Sequence, residues 1–517
     1  MRSLAVLLLL FATTPALAQD TAAPPAPYVL PAYIGEPPAL PPDAGAAPVQ
    51  LLLQDAVLLA IEGNLGIQLE REDRSAAEGL LIASHTRFEP RLIVAYEHGN
   101  SRTPPTSSLD GAADDLFQIN SDDFSIGFSQ ELPTATEIGV VFSSDRTSSS
   151  LGSAVDPLVV RDYLGITLRQ PLLQGFGFDL RVPRYRVLRA RIQSEQAALA
   201  LRVTMAETVR DTEDLYWDLV LALKTWHVQS ASLALAQEQL VLTQRQIDSG
   251  VLPPSDLIQA ESSLAQRELS MVRAGAAIER ARDQLQVALG PEQQTWRKAI
   301  LPLEIPTFAD VPVVLDEALQ TALAQRPELA QAARTHEAAA LELAVATNEM
   351  LPDVSVDVGL GVVGQDSTAA AAAAKLGSFQ ARAWSAGVSM TWTPVLRAGL
   401  GGLRQAQADR RSAGLLRTQV EVAVEVEVRA AARALETAGR QVLAAARFRD
   451  LAERSLEVEQ RRFLDGISSN FLIAQRAGEL AQAQLAELTA LIAHRKARTG
   501  YELATGQLLA ARGIVVD

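Results

Sequence analysis

The 517-residue chain contains no cysteine. It therefore has no disulfides and no N-terminal cysteine that an acyl chain could occupy. Histidine is scarce: the five residues His85, His98, His227, His336 and His494 share no ligand spacing, so no metal and no cofactor is expected. Positive charge is in deficit, 46 basic against 61 acidic residues for a net charge of −15, which argues against a nucleic-acid partner. Beyond the first 18 residues no run is long and apolar enough for a membrane helix. A phosphate-binding Gly-Lys-Ser/Thr loop and a Gly-x-Ser-x-Gly elbow are both missing. Gly175-Phe176-Gly177 lacks the third glycine of a dinucleotide fingerprint. No catalytic residues emerge, and the chain is not expected to be an enzyme. The acidic groups at 110–115 and 121–123 read as solvated surface in or beside loops, with bound calcium a weaker alternative.

What the chain does have is length without interruption. From Arg184 to Ser249 there is neither glycine nor proline, and the composition favours one helix of roughly 100 Å. Leu219, Trp226, Leu233, Leu240 and Ile247 recur every seven residues, as do Leu221, Val228, Leu235 and Leu242. The two lines are offset by two residues, about 200° around a helix, so they lie on nearly opposite flanks. A coiled-coil pair would instead concentrate them on one seam. Such a helix needs a neighbour on each side.

The pattern is written twice. An offset of 216 carries the first line onto Leu435, Val442, Arg449, Leu456 and Phe463, and the second onto Leu451 and Val458. Upstream, residues 52–91 match 314–353 at an offset of 262, pairing Asp55-Ala56 with Glu317-Ala318 and Pro90 with Pro352. The first half therefore holds 46 extra residues (262 − 216). Two homologous halves exclude a mosaic of unrelated domains.

In chain order, residues 1–18 read as a signal peptide cleaved after Ala18, and 19–48 as a Pro-rich extended tether. The first repeat spans 49–290. It begins with a helical pattern that breaks near Gly63-Asn64 and stops at Pro90. Strand-like runs follow at 91–98, 122–132, 136–146 and 159–170, with a long polar loop at 100–120 and a polar reversal at 145–157. Pro171-Leu172-Leu173-Gln174-Gly175 is a strand-to-helix hinge. The long helical hairpin runs over 184–289, with Gly250-Val251-Leu252 at its turn. After a connector at 291–312, helix 313–350 is expected to stack end to end on the returning helix 255–289 and match the long one. The second repeat, 313–506, has strands within about 353–393, Pro394 at its hinge, and a hairpin at 400–499 turning at Gly466-Ile467-Ser468. A short tail, 507–517, follows. Val420, Val422, Val424, Val426 and Val428 alternate as in a strand, but the repeat places them in the long helix.

These features together resemble the TolC-type outer-membrane factors, the outer-membrane efflux proteins, over about 50–506. The pieces that carry the resemblance are the duplicated Asp/Glu-Ala helix start, Pro90 and Pro352, the Gln170–Gly175 stretch, the two helix-tip turns, and the closing Tyr501-Glu502-Leu503-Ala504-Thr505-Gly506. The resemblance implies an α+β membrane protein, a homotrimer whose long helical hairpins form an α-barrel across the periplasm and whose strands join one shared β-barrel in outer-membrane lipid. It implies a passive exit duct for a tripartite efflux pump or a type I secretion system. Its partners would be a periplasmic membrane-fusion adaptor and an inner-membrane transporter of RND, ABC or MFS type. The adaptor would dock on Gly250, Val251, Leu252, Gly466, Ile467 and Ser468, and Pro171, Leu172, Leu173, Gly175 and Pro394 would mark the barrel-to-helix hinge. Two departures stand out. The extra residues hold a strand pair that either widens a twelve-stranded barrel or projects outside it, and 467–478 contains no acidic residue for a tip constriction. A periplasmic coiled-coil adaptor and a structural coiled-coil protein are the alternative readings.

Overall fold

The computed structural model describes residues 28–36, 38–41, 48–104, 116–150, 158–291, 298–310, 312–393, 397–465 and 467–515. The proposed signal peptide, the centre of the 100–120 loop, Pro394 and Gly466 lie outside these. The chain opens with α1 (Ala32–Gly35) and β1 (Val49–Leu51), then α2 (Leu53–Gly63) and α3 (Leu65–Ser84). The last two are separated at the expected break. There Asn64 caps α3, its side chain accepting from the N–H groups of Gly66 and Ile67. Strands β2 (Arg91–Thr103), β3 (Phe117–Glu131), β4 (Glu137–Ser149) and β5 (Leu158–Pro171) come next. The long helix α4 (Tyr185–Asp248) turns into α5 (Ser255–Leu289), and β6 (Ile300–Pro302) lies in the connector.

The second half repeats the order with α6 (Leu315–Gln325), α7 (Pro327–Asn348), β7 (Asp353–Asp366), α8 (Ala369–Ser378) and β8 (Ala381–Thr391). It ends with α9 (Arg397–Leu464), α10 (Asn470–Ala504) and α11 (Leu508–Ala511). The alternating valines lie in the 68-residue helix α9. Val424 and Val428 are buried there while Val422 and Val426 are exposed, because a two-residue step nearly reverses direction around a helix.

The helices form a slab four wide. In the half near the strands the lateral order is α3, α4, α7, α9; in the distal half it is α5, α4, α10, α9. The short helices therefore stack within their own repeat. Asn64 donates to the Ala288 carbonyl at the end of α5 (3.2 Å), and Arg326 donates to the Ala504 carbonyl at the end of α10 (3.3 Å). This corrects the expectation that 313–350 continues 255–289. The connector carries the chain sideways over α4, where the Glu304 N–H meets Tyr216, and onto α10, where Phe308 packs on His494, before α6 begins.

The largest core sits at this mid-level, where Tyr216, Trp217, Leu219, Leu223, Leu285, Leu289 and Leu488 are buried together. Each such side chain contributes about 1.5–3 kcal/mol through removal from water. Tyr216 donates to the Leu51 carbonyl (3.0 Å), tying α4 to the parallel pair β1–β6.

All six long strands belong to one antiparallel sheet, in the order β2-β3-β4-β5-β7-β8. The strands run longer than their apolar patterns. Residues 100–103, 117–121 and 145–149, polar except Phe117 and Ile119, continue the ladders, so the expected loop and reversal are shorter than the composition suggested. Asp122 and Asp123 are in β3 rather than a loop, and Asp122 accepts a hydrogen bond from Tyr96 (2.9 Å). Helix α8, six alanines behind the cap Thr368 that the strand reading of 353–393 does not anticipate, packs on β5 and β7 at the end of the sheet far from the helices.

Candidate functional site

Strand residues alternate between two faces, and in this sheet the alternation sorts chemistry. Following the register from strand to strand, Leu92, Phe128, Val140, Ile166, Leu360 and Trp384 lie in one row on one face. The neighbouring row holds Val94, Ile126, Phe142, Leu164 and Val362 before ending at Arg382. The opposite face carries Ser125, Gly127 and Ser129 on β3 beside Gly139, Val141 and Ser143 on β4, then Gly165 and Thr167, Gly359 and Gly361, and Ser385 and Gly387. Most of the apolar face is exposed, with Trp384 at 77% and Leu92 at 67%, while Val140 and Phe142 are half-buried and Val362 is buried. A contiguous apolar surface of this extent is incompatible with water. It has the composition of a lipid-facing band backed by a polar lumen.

The hinge residues gather where sheet meets helices. Pro171 closes β5 opposite Ser355, and the N–H of Leu172 still reaches the Val354 carbonyl at 2.7 Å. Beyond it the chain turns with Gly175 at φ +84°, a left-handed conformation that side chains resist. Buried Asn348, the last residue of α7, holds this turn. Its Oδ1 accepts from the N–H of Gly175 (2.7 Å), and its Nδ2 donates to the carbonyl of Leu173 (2.9 Å). Sequence reasoning missed Asn348. It lies in the second repeat, at the end of α7, and clamps the hinge of the first.

Along α4, Leu219 is buried, and Trp226, Leu233, Leu240 and Ile247 are half-buried. On the other flank Val228 is buried and Leu221 and Leu235 are half-buried, but Leu242 is exposed. Helix α9 differs. Leu435, Val442 and Leu456 are buried and Phe463 is half-buried, but Leu451 and Val458 face outward, 65% and 53% exposed. Arg449, the polar interruption in that line, reaches the fully buried Glu487 of α10 (3.1 Å). Exposed apolar residues also mark the opposite edge of the slab: Leu69 and Ile82 on α3, and Ile258 and Val272 on α5. Both lateral edges are thus unpartnered within one chain.

At the distal end the N–H of Val251 bonds the Gln246 carbonyl (2.9 Å), and the N–H of Ile467 bonds the Arg462 carbonyl (3.0 Å). Both partners are five residues back, the closure of a helix C-cap, and the two turns are related by the repeat offset of 216. Gly250 adopts φ +77° with open space where a side chain would be. Val251 and Ile467 are both about 70% exposed. Leu252 points instead into a cavity of about 530 Å³ between the two hairpins, shared with Leu235, Gln239, Arg267, Asn470 and Phe471. Ser468 donates to Glu459 of α9. The structure thus brings together the tip residues that sequence reasoning named, Gly466 lying outside the described residues.

The outer membrane efflux protein family model matches residues 137–291 and 318–507, about two thirds of the chain. The chain belongs to this family. It is an outer-membrane efflux channel, a passive one and not an enzyme. Compared by sequence, no curated protein matches. Among solved structures, the outer-membrane channel OprN is similar at 20% identity and TM-score 0.64, over 88% of this chain and 90% of that one. The CmeC outer membrane channel of Campylobacter jejuni has 13% identity and TM-score 0.64, with 88% and 86% covered. The open-state MtrE outer membrane channel of Neisseria gonorrhoeae has 15% identity and TM-score 0.60, with 88% and 89% covered.

In this efflux channel the mid-level of the slab carries buried charges that no sequence pattern revealed. Glu487 accepts from Tyr33 (2.5 Å) and Tyr28 (3.1 Å) as well as Arg449. Burial and the neighbouring carboxylate push both phenols far above their ordinary range. Buried Lys224 donates to the carbonyls of Tyr33 (2.9 Å) and Glu36. The segment read as a tether is therefore held against the helices over residues 28–36. Nearby, Glu213 is buried on α4 and takes Thr499 (2.7 Å) and Arg512 (2.9 Å), fastening the C-terminal tail. Among the described residues no cluster of three or more His, Asp or Glu is placed to hold a metal ion. No described helix is long and apolar enough to cross a membrane.

Proposed function

We propose that this protein is the exit duct of a tripartite efflux pump. It works as a homotrimer that passes cargo through a helical cylinder and a shared β-barrel. One observation carries the reading. Each chain exposes an apolar sheet face whose two edge strands are unpaired, on the same molecule as a helical slab with apolar residues on both lateral edges. Unpaired strand edges are not tolerated in lipid, so the sheet requires other copies to close it. The same copies cover the slab edges, α9 of one against α3 and α5 of the next.

The helix tips dock a periplasmic adaptor. Val251 and Ile467 are exposed apolar residues on equivalent turns, a cost in water unless a partner covers them. Leader cleavage after Ala18 delivers the chain to the periplasm. The experiment is fractionation with mass determination, followed by site-specific crosslinking from positions 251 and 467 in cells. A trimer in the outer membrane whose tips capture a periplasmic protein carrying its own inner-membrane partner supports the reading. A monomer, or tips that crosslink nothing while transport proceeds, overturns it.

A further inference from the structure

The hairpin β3–β4 is the part of this chain with no counterpart in its second half, and its position decides what it does. Its turn, residues 132–136, lies at the helix end of the sheet beside the hinge. Gln170 of the hinge donates to the Thr134 carbonyl (3.3 Å) and also meets Thr136. Glu131 pairs with Arg87 (2.7 Å), and Gln130 donates to the Phe88 carbonyl (3.1 Å), both just before β2 begins. The hairpin thus starts from the same level as the other strands, and at the far end β3 and β4 run on past Asp366 of β7, to Phe117 and Ser149, alongside β2. β3 pairs with β2 along 13 consecutive positions, and β4 with β5 along 12. Its faces continue those of its neighbours: Phe124, Ile126, Phe128, Val140 and Phe142 join the apolar face, and Ser125, Ser129 and Ser143 the polar one.

We propose that this hairpin is part of the membrane wall, so that three copies of the chain close an eighteen-stranded barrel rather than a twelve-stranded one. This rests on the trimeric reading above. Six is an even number, so β2 leaves the helices and β8 returns to them. The β8 edge of one copy therefore meets the β2 edge of the next antiparallel, like every other pair in the sheet. The apolar face runs out to both of these edges, at Leu92, Val94 and Tyr96 on β2 and Trp384, Val388 and Met390 on β8. Ring sizes also agree. Eighteen strands tilted about 40° and about 4.8 Å apart, and twelve helices about 10 Å apart, both trace a circumference on the order of 110 Å. The added hairpin widens the lumen and lines it with serine and glycine.

Because the chain has no cysteine, single cysteines report cleanly. Phe128→Cys and Phe142→Cys test the apolar face of the hairpin, Ser125→Cys and Ser143→Cys the polar face, each with an environment-sensitive maleimide in liposomes containing doxyl-labelled lipid. Ile126→Cys and Val140→Cys replace either apolar-face variant that folds poorly. Native mass of each sample is measured in parallel. The expected result is a trimer in which the apolar-face labels are quenched by doxyl lipid and resist a charged, membrane-impermeant maleimide. The serine positions then react with that reagent at least several-fold faster and are not quenched. A trimer in which all four positions react with the charged reagent and none is quenched places the hairpin outside the wall and overturns the proposal alone. A mass other than a trimer overturns the trimeric reading, and the count of eighteen with it.

Discussion

Asn348, at the end of a helix in the second repeat, holds Gly175, in the hinge of the first, by a 2.7 Å hydrogen bond. The clamp joins the two repeats where the strands meet the helices. Gly175 needs its left-handed φ to turn the chain, and Asn348 supplies both an acceptor for its N–H and a donor for Leu173.

Asn348→Ala leaves the half-buried Gly175 N–H without its partner, at about 1–3 kcal/mol, while the Leu173 carbonyl loses one donor and keeps Phe176. The variant is expected to melt at a lower temperature in detergent, with Asn348→Asp, which keeps only the acceptor, in between. Equal melting of all three proteins shows that the clamp contributes nothing.

Leu451 and Val458 are exposed on α9 within one chain, and they lie on the heptad line whose equivalents on α4 are the half-buried Leu235 and the exposed Leu242. Replacing both with Asp adds charge to a surface that is open in the single chain and closed in the assembly, where burying each unpaired charge costs several kcal/mol. The double variant should keep its helix content by circular dichroism and lose the trimer on size exclusion. A normal trimer excludes this edge from the contact between copies.

At the tips, Val251→Lys with Ile467→Lys removes exposed apolar surface without touching any packed side chain. Trimer yield and melting temperature should stay unchanged while transport, read as cargo accumulation in cells, falls at least tenfold. Full transport by this variant removes these two residues from adaptor docking.

Asp214 on α4 gives a pH test. Burial raises its carboxyl pKa to about 6, with Lys496 and Arg210 pulling the other way. Because the folded state holds the proton more tightly than the unfolded chain, the cost of the buried charge is fully present above pH 6. It is relieved as the pH falls through 6 towards 4. Asp214→Asn removes that cost at every pH. The variant should therefore be more stable than the wild type at pH 7.5, and the difference should shrink at pH 5. A melting-temperature difference that is the same at both pH values rules this out.

The helical half of the molecule was legible because its signals are periodic and long. Heptad lines from Leu219 to Ile247, an uninterrupted run without glycine or proline, and an offset of 216 that predicts matching C-caps at Val251 and Ile467 all survive in one dimension. The strands were legible at their apolar cores but not at their ends. Ladder hydrogen bonds are made by backbone and extend through serine, asparagine and threonine, as where Asn120 pairs with Ser148 and Ser121 with Thr147. Helix α8 was legible in its six consecutive alanines after the cap Thr368, though not expected between two strands, whereas the clamp Asn348 left no signal, since it is defined by what it packs against.

Taken alone, the sequence determined that this protein is a duplicated chain of paired strands and very long two-flanked helices, because periodicity and repetition are properties of residue order. Only the tertiary structure decided how the pieces lie beside one another. It placed α6 and α7 on the end of α10 rather than α5, set the 28–36 segment against Lys224 and Glu487, and put the extra hairpin inside the sheet. Those choices depend on contacts between residues hundreds of positions apart, such as Tyr33 with Glu487 and Asn348 with Gly175. Neither partner's local sequence records the other.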